Sequence, residues 1–410
     1  MSKLINRPQY LNQLIKNKDI DLAKIVTGIR RCGKSSLLDL FHEYLLEIGV
    51  LPSNIIHMNM ESLRYRNITD YLLLYDYVSK MIPETGKSYL IFDEIQTVEH
   101  WEKAIESFRI DFDVDVYITG SNAYLLSTEL STLLSGRYIE IKMLPLSFRE
   151  FLDFYDFPMS TTLDEKFQKY LKIGGMPVLN EYQLDESGCN QALEGIYSTV
   201  VLRDILQHNE RSDQATLQKI ILFLCSNIGS ITSPNNIGNI LSNEGSVMNT
   251  KKRNIAGKTV EKYISMLHNA FVFLPVSRYD IKGKQLLKTL EKNYIIDMGF
   301  RNMLLGYRDA DRGHILENIV FLELLRRGYR IYIGKAGDTE VDFIAEKTEE
   351  KLYIQVTESM LTQETREREL RPLRSIRDNY EKIILSMDRS FINSYDGIKS
   401  LNLVDWLLNT

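Results

Sequence analysis

The chain has 410 residues, 44% of them apolar and 26% charged, an ordinary globular balance with length for two to three domains. Fifty lysines and arginines against 55 acids give a formal net charge of −5. That excludes a basic nucleic-acid coat over the whole surface, though not a local basic patch.

Residues 1–158 alternate short β-rich runs with amphipathic helices, the pattern of a parallel sheet flanked by helices. Strands are predicted over Ala23–Thr27, Asn54–Met60, Ser88–Asp93, Val114–Thr119 and Arg137–Met143. The central ones are almost continuously apolar, as strands buried on both faces must be. Leu37, Leu38, Phe41, Leu45 and Ile48 recur at helical spacing after the first strand. Residues 159–208 read as a helical lid, broken at Gly174-Gly175-Met176-Pro177. Residues 209–292 read as three helices and a hairpin turning at Lys282-Gly283-Lys284, the order of a winged helix-turn-helix. Residues 293–410 form a second α/β unit: a long helix over about Ile315–Arg327, then strands at Arg330–Ile333, Glu340–Ala345, Leu352–Val356 and Lys382–Ser386. No internal repeat or low-complexity tract interrupts this order. Cys32, Cys189 and Cys225 are too few and too scattered for a disulfide framework or a structural zinc site. The first residues lack the apolar run of a signal peptide, and no segment approaches the roughly 20 apolar residues of a membrane span. A cytoplasmic location without a membrane partner is therefore expected.

Gly28-Ile29-Arg30-Arg31-Cys32-Gly33-Lys34-Ser35 is a complete Gly-x-x-x-x-Gly-Lys-Ser loop between a buried strand and an amphipathic helix. Such a loop curls its amides around one anion at a helix N-terminus. ATP and Mg²⁺ are the expected cofactors. Lys34 would reach the β- and γ-phosphates and Ser35 the metal, with Gly28, Arg30, Arg31, Cys32, Gly33 and Ser36 completing the cradle. Arg30 and Arg31 would face solvent or the base. Tyr89-Leu90-Ile91-Phe92-Asp93-Glu94 is a buried strand ending in two acids, which places them where open α/β sheets bind ligands. Asp93 would hold the metal and Glu94 would polarise the attacking water. Tyr117-Ile118-Thr119-Gly120-Ser121-Asn122 ends a third strand, expected to lie between the first two in space, the additional-strand branch of P-loop ATPases. Asn122 is the expected sensing residue there, with Ser121 as the alternative and a plain turn as the bland reading. Arg137, or second to it Arg203, is the candidate arginine finger, and either could instead be a salt-bridged structural arginine.

These motifs, with Leu144-Pro145-Leu146-Ser147-Phe148-Arg149-Glu150-Phe151, Val201-Leu202-Arg203-Asp204 and Glu317-Asn318-Ile319-Val320-Phe321, resemble a prokaryotic family of AAA-type ATP-binding proteins with an uncharacterised C-terminal domain. The resemblance spans essentially the whole chain. It implies an ATPase core, a helical lid, a winged helix and a C-terminal domain similar to the restriction-endonuclease fold. Active nucleases of that fold join a helix Glu, a strand Asp and a Glu-x-Lys on the next strand. Glu317 and Asp342 match, but Gln355 stands for the acid and Thr357 for the lysine. An amide is a poorer Mg²⁺ ligand than a carboxylate, and threonine brings no positive charge. This domain is therefore expected to be inactive.

Lys251–Lys262 carries five cations against one acid, and Arg278–Lys292 five against two, net +4 and +3. These segments flank the expected recognition helix and its wing, the surfaces that would meet duplex DNA. The expectation is an Mg²⁺-dependent ATPase whose nucleotide state controls a DNA-binding or effector C-terminal half, with a homo-oligomer as a further partner. The alternatives are a slow nucleotide-dependent scaffold that binds protein, and a metal-dependent nuclease.

Overall fold

The computed structural model describes residues 6–121, 136–206, 213–247, 255–389 and 392–409. They divide into two compact units, Met1–Pro145 with Asn269–Phe271, and Leu146–His268 with Val272–Thr410.

The first unit opens with helix α1 (Pro8–Lys16) and contains a five-stranded sheet of β1 (Ala23–Thr27), β2 (Ile55–Asn59), β3 (Ser88–Asp93), β4 (Val114–Gly120) and β5 (Tyr138–Lys142). The spatial order is β2-β3-β4-β1-β5, and every neighbouring pair is parallel. β4 thus lies between the strand that feeds the phosphate loop and the strand that ends in the two acids. That is the additional-strand order expected from the sequence. Every residue of β1 and β3 is buried, which follows from helices covering both faces of the sheet. On one face α2 (Lys34–Glu47) buries Leu37, Leu38, Phe41 and Leu45, with the Phe41 ring 4.3 Å from that of Tyr117. Ile48, the fifth apolar position of that expected stripe, is 47% exposed because the helix has ended at Glu47. On the other face α3 (Tyr71–Ser79) and α4 (Trp101–Asp111) pack Leu74, Val78, Trp101, Ile105 and Phe108 against Phe92 and Ile118.

The second unit begins where the first ends. Ser147 caps the helix Phe148–Phe154 in a reciprocal capping box with Glu150. Phe148, Phe151 and Tyr155 then cluster with Phe167 and Tyr170 of the helix Leu163–Ile173. This aromatic cluster belongs to the second unit, whose residues begin at Leu146, whereas the sequence pattern placed the end of the first stretch at 158. The Gly174–Gly175 break has a specific cause. A β-carbon on Gly174 would lie 2.0 Å from Asp297 Oδ1, and the Gly175 N–H donates to Asp297 Oδ2 at 2.6 Å.

The helices Gln214–Ser226, Pro234–Val247 and Gly257–Asn269 precede a hairpin of β6 (Phe273–Asp280) and β7 (Gln285–Ile295). This is the expected order, but the hairpin is not a separate wing. β6 pairs in parallel with β8 (Arg330–Ala336), and the hairpin completes an eight-stranded sheet with β9 (Thr339–Glu346), β10 (Lys351–Val356), β11 (Glu381–Ser386), β12 (Ser394–Tyr395) and β13 (Ile398–Asn402). The expected boundary at 292/293 therefore falls inside β7. The short β12 and β13 and the helix Leu403–Leu408 lie beyond the last strand that the sequence pattern marked.

Candidate functional site

β1 ends at Thr27, and the chain turns directly into the loop. Gly28 has φ +150°, and a β-carbon there would lie 2.3 Å from the Met143 carbonyl oxygen, so only glycine fits. Arg31 (φ +66°) and Gly33 (φ +103°) are left-handed, and α2 starts at Lys34. Left-handed residues alternating with ordinary ones before a helix N-terminus form an anion-binding concavity.

Lys34 is 4% exposed. Its Nζ donates to the carbonyls of Gly28 at 3.1 Å and Ile29 at 3.3 Å, and stands 3.6 Å from Glu94 Oε1. Asp93 and Glu94 leave the C-terminal end of β3, both buried. The Asp93 carboxylate accepts from the Thr119 hydroxyl, from Asn59 Nδ2 at 3.0 Å and from the Ser35 hydroxyl. Glu94, at φ +53°, accepts from the Gln96 amide and the Ser121 hydroxyl, and its own N–H donates to Thr119 Oγ1 at 2.9 Å. One buried hydroxyl, that of Thr119, therefore holds both the Asp93 carboxylate and the Glu94 backbone.

The two acids differ in charge preference. Burial pushes the Asp93 carboxyl above its ordinary value, and the hydroxyls of Thr119 and Ser35 offset this only in part. Burial acts on Glu94 in the same sense, but Lys34, the Gln96 amide, Arg30 and the Ser121 hydroxyl together hold it below the usual range. Glu94 is thus kept ionised beside an ammonium.

The loop, Lys34, Ser35, Asp93 and Glu94 converge as the motifs imply. Ser35, Ser36 and Arg31 are exposed at the rim, and Arg30 leans 3.3 Å from Glu61. Cys32 is fully buried, and burial pushes its thiol up. Asn122 and the Arg203 side chain lie outside the described residues. Arg137 does not join the site. Its carbonyl accepts the Ala23 N–H at the opposite end of β1, roughly 16 Å from the loop at strand rise, and its exposed side chain stands 3.8 Å from Glu106. Thr119, Asn59 and Gln96 escaped the sequence reading. The register could have marked Thr119, because Phe92 pairs with Ile118 and so sets Thr119 beside Asp93.

The family described as an AAA domain matches residues 21–152, and a domain of unknown function matches residues 164–311. An uncharacterized protein of Haemophilus influenzae is 41% identical over 100% of both chains. Another, MJ1544 of Methanocaldococcus jannaschii, is 31% identical over 96% of this chain and 84% of its own. The chain belongs to a prokaryotic family of AAA-type ATPases. Among solved structures, the Walker-type ATPase PABY2304 of Pyrococcus abyssi matches at 15% identity and a TM-score of 0.49, covering 73% of this chain and 95% of that one. An AAA-type P-loop fold is a nucleotide-binding fold, and the convergence just described lies at its phosphate loop.

A second charged centre of this AAA-type protein lies in the C-terminal sheet. Glu317, on the helix Arg312–Arg326, accepts on Oε1 from Lys292 Nζ at 3.0 Å and from the Tyr294 hydroxyl at 2.6 Å. Lys292, from β7, also stands 2.7 Å from Glu340. Asp342 accepts the Val356 N–H at 2.8 Å, and burial beside Glu317 pushes its carboxyl well up. Gln355 donates to Glu369 at 3.0 Å. Glu317 and Asp342 thus share a region, as the sequence pattern wanted, but a lysine from an unexpected strand fills it. Among the described residues no group of three or more His, Cys, Asp or Glu is arranged to hold a metal. Burial of Lys292 also corrects the charge count of the wing, since this cation is 3% exposed and internally paired. Lys282 and Lys284 at the turn remain exposed. No helix among the described residues is long and apolar enough to cross a membrane.

Proposed function

We propose that the N-terminal unit binds ATP with Mg²⁺ and hydrolyses its terminal phosphoanhydride, and that the nucleotide state controls a DNA-binding or effector surface in the C-terminal half. The observation that carries this reading is the convergence of Lys34, Ser35, Asp93 and Glu94 on one loop at the N-terminus of α2. The Ser35 hydroxyl and the Asp93 carboxylate are hard oxygen donors already hydrogen-bonded to each other, a pair that suits Mg²⁺ and its waters. Held by these two residues, the metal would supply positive charge to the phosphate oxygens.

Lys34 holds the outer phosphates, exchanging the carbonyls of Gly28 and Ile29 for phosphate oxygens. Glu94, ionised, accepts the proton of the attacking water, and Thr119 fixes its backbone and the neighbouring Asp93 carboxylate. Asn122, one residue beyond Ser121, is assigned to sensing the γ-phosphate. Arg137 lies too far from its own loop to act there, so as a finger it would serve the loop of a second copy, which requires a homo-oligomer.

Exposed Lys258 and Lys262 on the helix Gly257–Asn269, with Lys282 and Lys284 at the hairpin turn, form the proposed duplex-DNA surface. Burial of Lys292 removes one cation from that surface, and the competing reading of this half is a protein-binding scaffold. The test is ATP turnover by the full chain with and without duplex DNA, alongside the assembly state. Turnover that rises with DNA, with a salt-dependent duplex shift, is the expected result. Turnover without any shift at low salt favours the scaffold, and no turnover under either condition refutes the ATPase reading.

A further inference from the structure

Arg7 and Tyr10 lie outside every motif, yet both are buried, at 3% and 2% exposure. A guanidinium taken out of water needs acceptors, and Arg7 finds two carbonyls far apart in the chain. Nη1 donates to Cys32 O at 3.1 Å, inside the phosphate loop, and Nη2 to Pro145 O at 3.4 Å, the last residue of the first unit. The guanidinium carbon stands 4.6 Å from the Tyr10 ring centre, and the Tyr10 hydroxyl accepts the Leu144 N–H at 3.1 Å. From the other side, the Met143 N–H donates to Thr27 O at 2.7 Å, and the backbone of Gly28 packs directly on the Met143 carbonyl. Residues 27, 28 and 32 are therefore joined to residues 143, 144 and 145 twice, once directly and once through Arg7 and Tyr10.

The peptide between Cys32 and Gly33 is planar, so its carbonyl and its N–H point in opposite directions. By drawing the Cys32 carbonyl toward itself, Arg7 aims the Gly33 N–H away from α1. Gly33 is the residue that caps α2, so this N–H belongs to the anion-binding end of the loop.

We propose that Arg7 and Tyr10 are positioning residues that tie the phosphate loop to Met143–Pro145, so that a triphosphate seated in the loop tightens the segment through which the chain leaves the ATPase unit. This rests on the nucleotide reading of the loop. An arginine suits this place better than lysine, because its planar fork sends two N–H groups of fixed, divergent direction to carbonyls of different segments.

The test uses the full chain and a nonhydrolysable ATP analogue with Mg²⁺. Calorimetry measures binding, and hydrogen exchange follows the amides of Met143 and Leu144. In the wild type the analogue slows exchange of these two amides about tenfold, the equivalent of one strengthened hydrogen bond. Tyr10→Phe, which deletes one hydroxyl and keeps the ring in the core, binds the analogue within a few-fold of wild type but loses the added protection at Leu144. Arg7→Lys weakens binding about tenfold, by losing one of two charge-assisted bonds. Binding by the wild type with unchanged exchange at both amides overturns the proposal and leaves the nucleotide reading intact. So does a Tyr10→Phe variant whose Leu144 amide responds as in wild type. Absence of any binding heat in the wild type overturns the nucleotide reading itself.

Discussion

Each unit of the molecule contains a buried lysine among carboxylates, and the two centres are built to opposite ends. Lys34 stands 3.6 Å from Glu94 and otherwise bonds backbone carbonyls of its own loop. A phosphate oxygen can replace those weak acceptors at a net gain. Lys292 is held at 3.0 Å by Glu317 and at 2.7 Å by Glu340, while the Tyr294 hydroxyl takes a further place on Glu317. Nothing there is gained by exchanging a full carboxylate for a ligand. The ammonium instead stabilises two acids that would otherwise repel each other in the interior. The same residue types thus make a receptive site at a loop and a closed one in a sheet. What decides between them is whether the lysine's partners can be replaced.

The largest effect that would sharpen this contrast is Glu94→Gln. Loss of a general base costs about 10²–10⁴-fold in kcat, while binding persists because Lys34 and the loop remain. Single-turnover hydrolysis against equilibrium binding reads both, and equal hydrolysis by the variant and the wild type breaks the base assignment. Next is Lys292→Ala. Removing one partner from a buried ion pair destabilises by about 3–5 kcal/mol, whereas ATP affinity of the folded fraction stays unchanged. Denaturant unfolding with calorimetry on the same samples tests this, and a variant as stable as wild type would mean the centre is not closed by its lysine.

Asp297 comes third. Burial raises its carboxyl to about 7, in spite of N–H donors from Gly175, Gly299 and Phe300. A carboxyl whose folded pKa is raised contributes stability that is full at low pH and is lost as pH climbs from the unfolded value toward 7. Wild type should therefore lose stability relative to Asp297→Asn over about pH 4 to 7, by as much as about 4 kcal/mol, and the difference should then level off. A difference that does not change across that window contradicts the raised value. The smallest effect is Thr119→Val, expected to lower kcat about tenfold through loss of the buried hydrogen bonds to the Asp93 carboxylate and from the Glu94 N–H. Unchanged turnover would show that the hydroxyl does not orient Asp93 and Glu94.

The sequence made the ATPase centre legible because its parts are local. Loop, lysine and helix are contiguous in residues 28–47, and the two acids end a run of four apolar residues whose burial in β3 the composition already demands. The position of β4 could be expected from the tip Thr119–Asn122 for the same reason. Thr119 itself was passed over for Asn122, because its importance comes from a pairing register between strands distant in sequence. The C-terminal half shows the limit more fully. Lys292 read as a solvated wing cation, since its neighbours Lys288 and Glu291 are charged, and only the pairing of β6 with β8 turns that hairpin into the edge of an eight-stranded sheet over Glu317. Arg7 and Tyr10 were invisible for a like reason, their partners lying about 25 and 135 residues away.

The receptive character of the first centre is tested most directly by equilibrium binding of Mg²⁺-ATP to wild type and Lys34→Ala, both checked for an unchanged unfolding transition. The account predicts saturable binding by the wild type and a loss of about 10²-fold or more in the variant, from two charge-assisted contacts removed. Equal affinity in the two proteins, or none in the wild type, would contradict it.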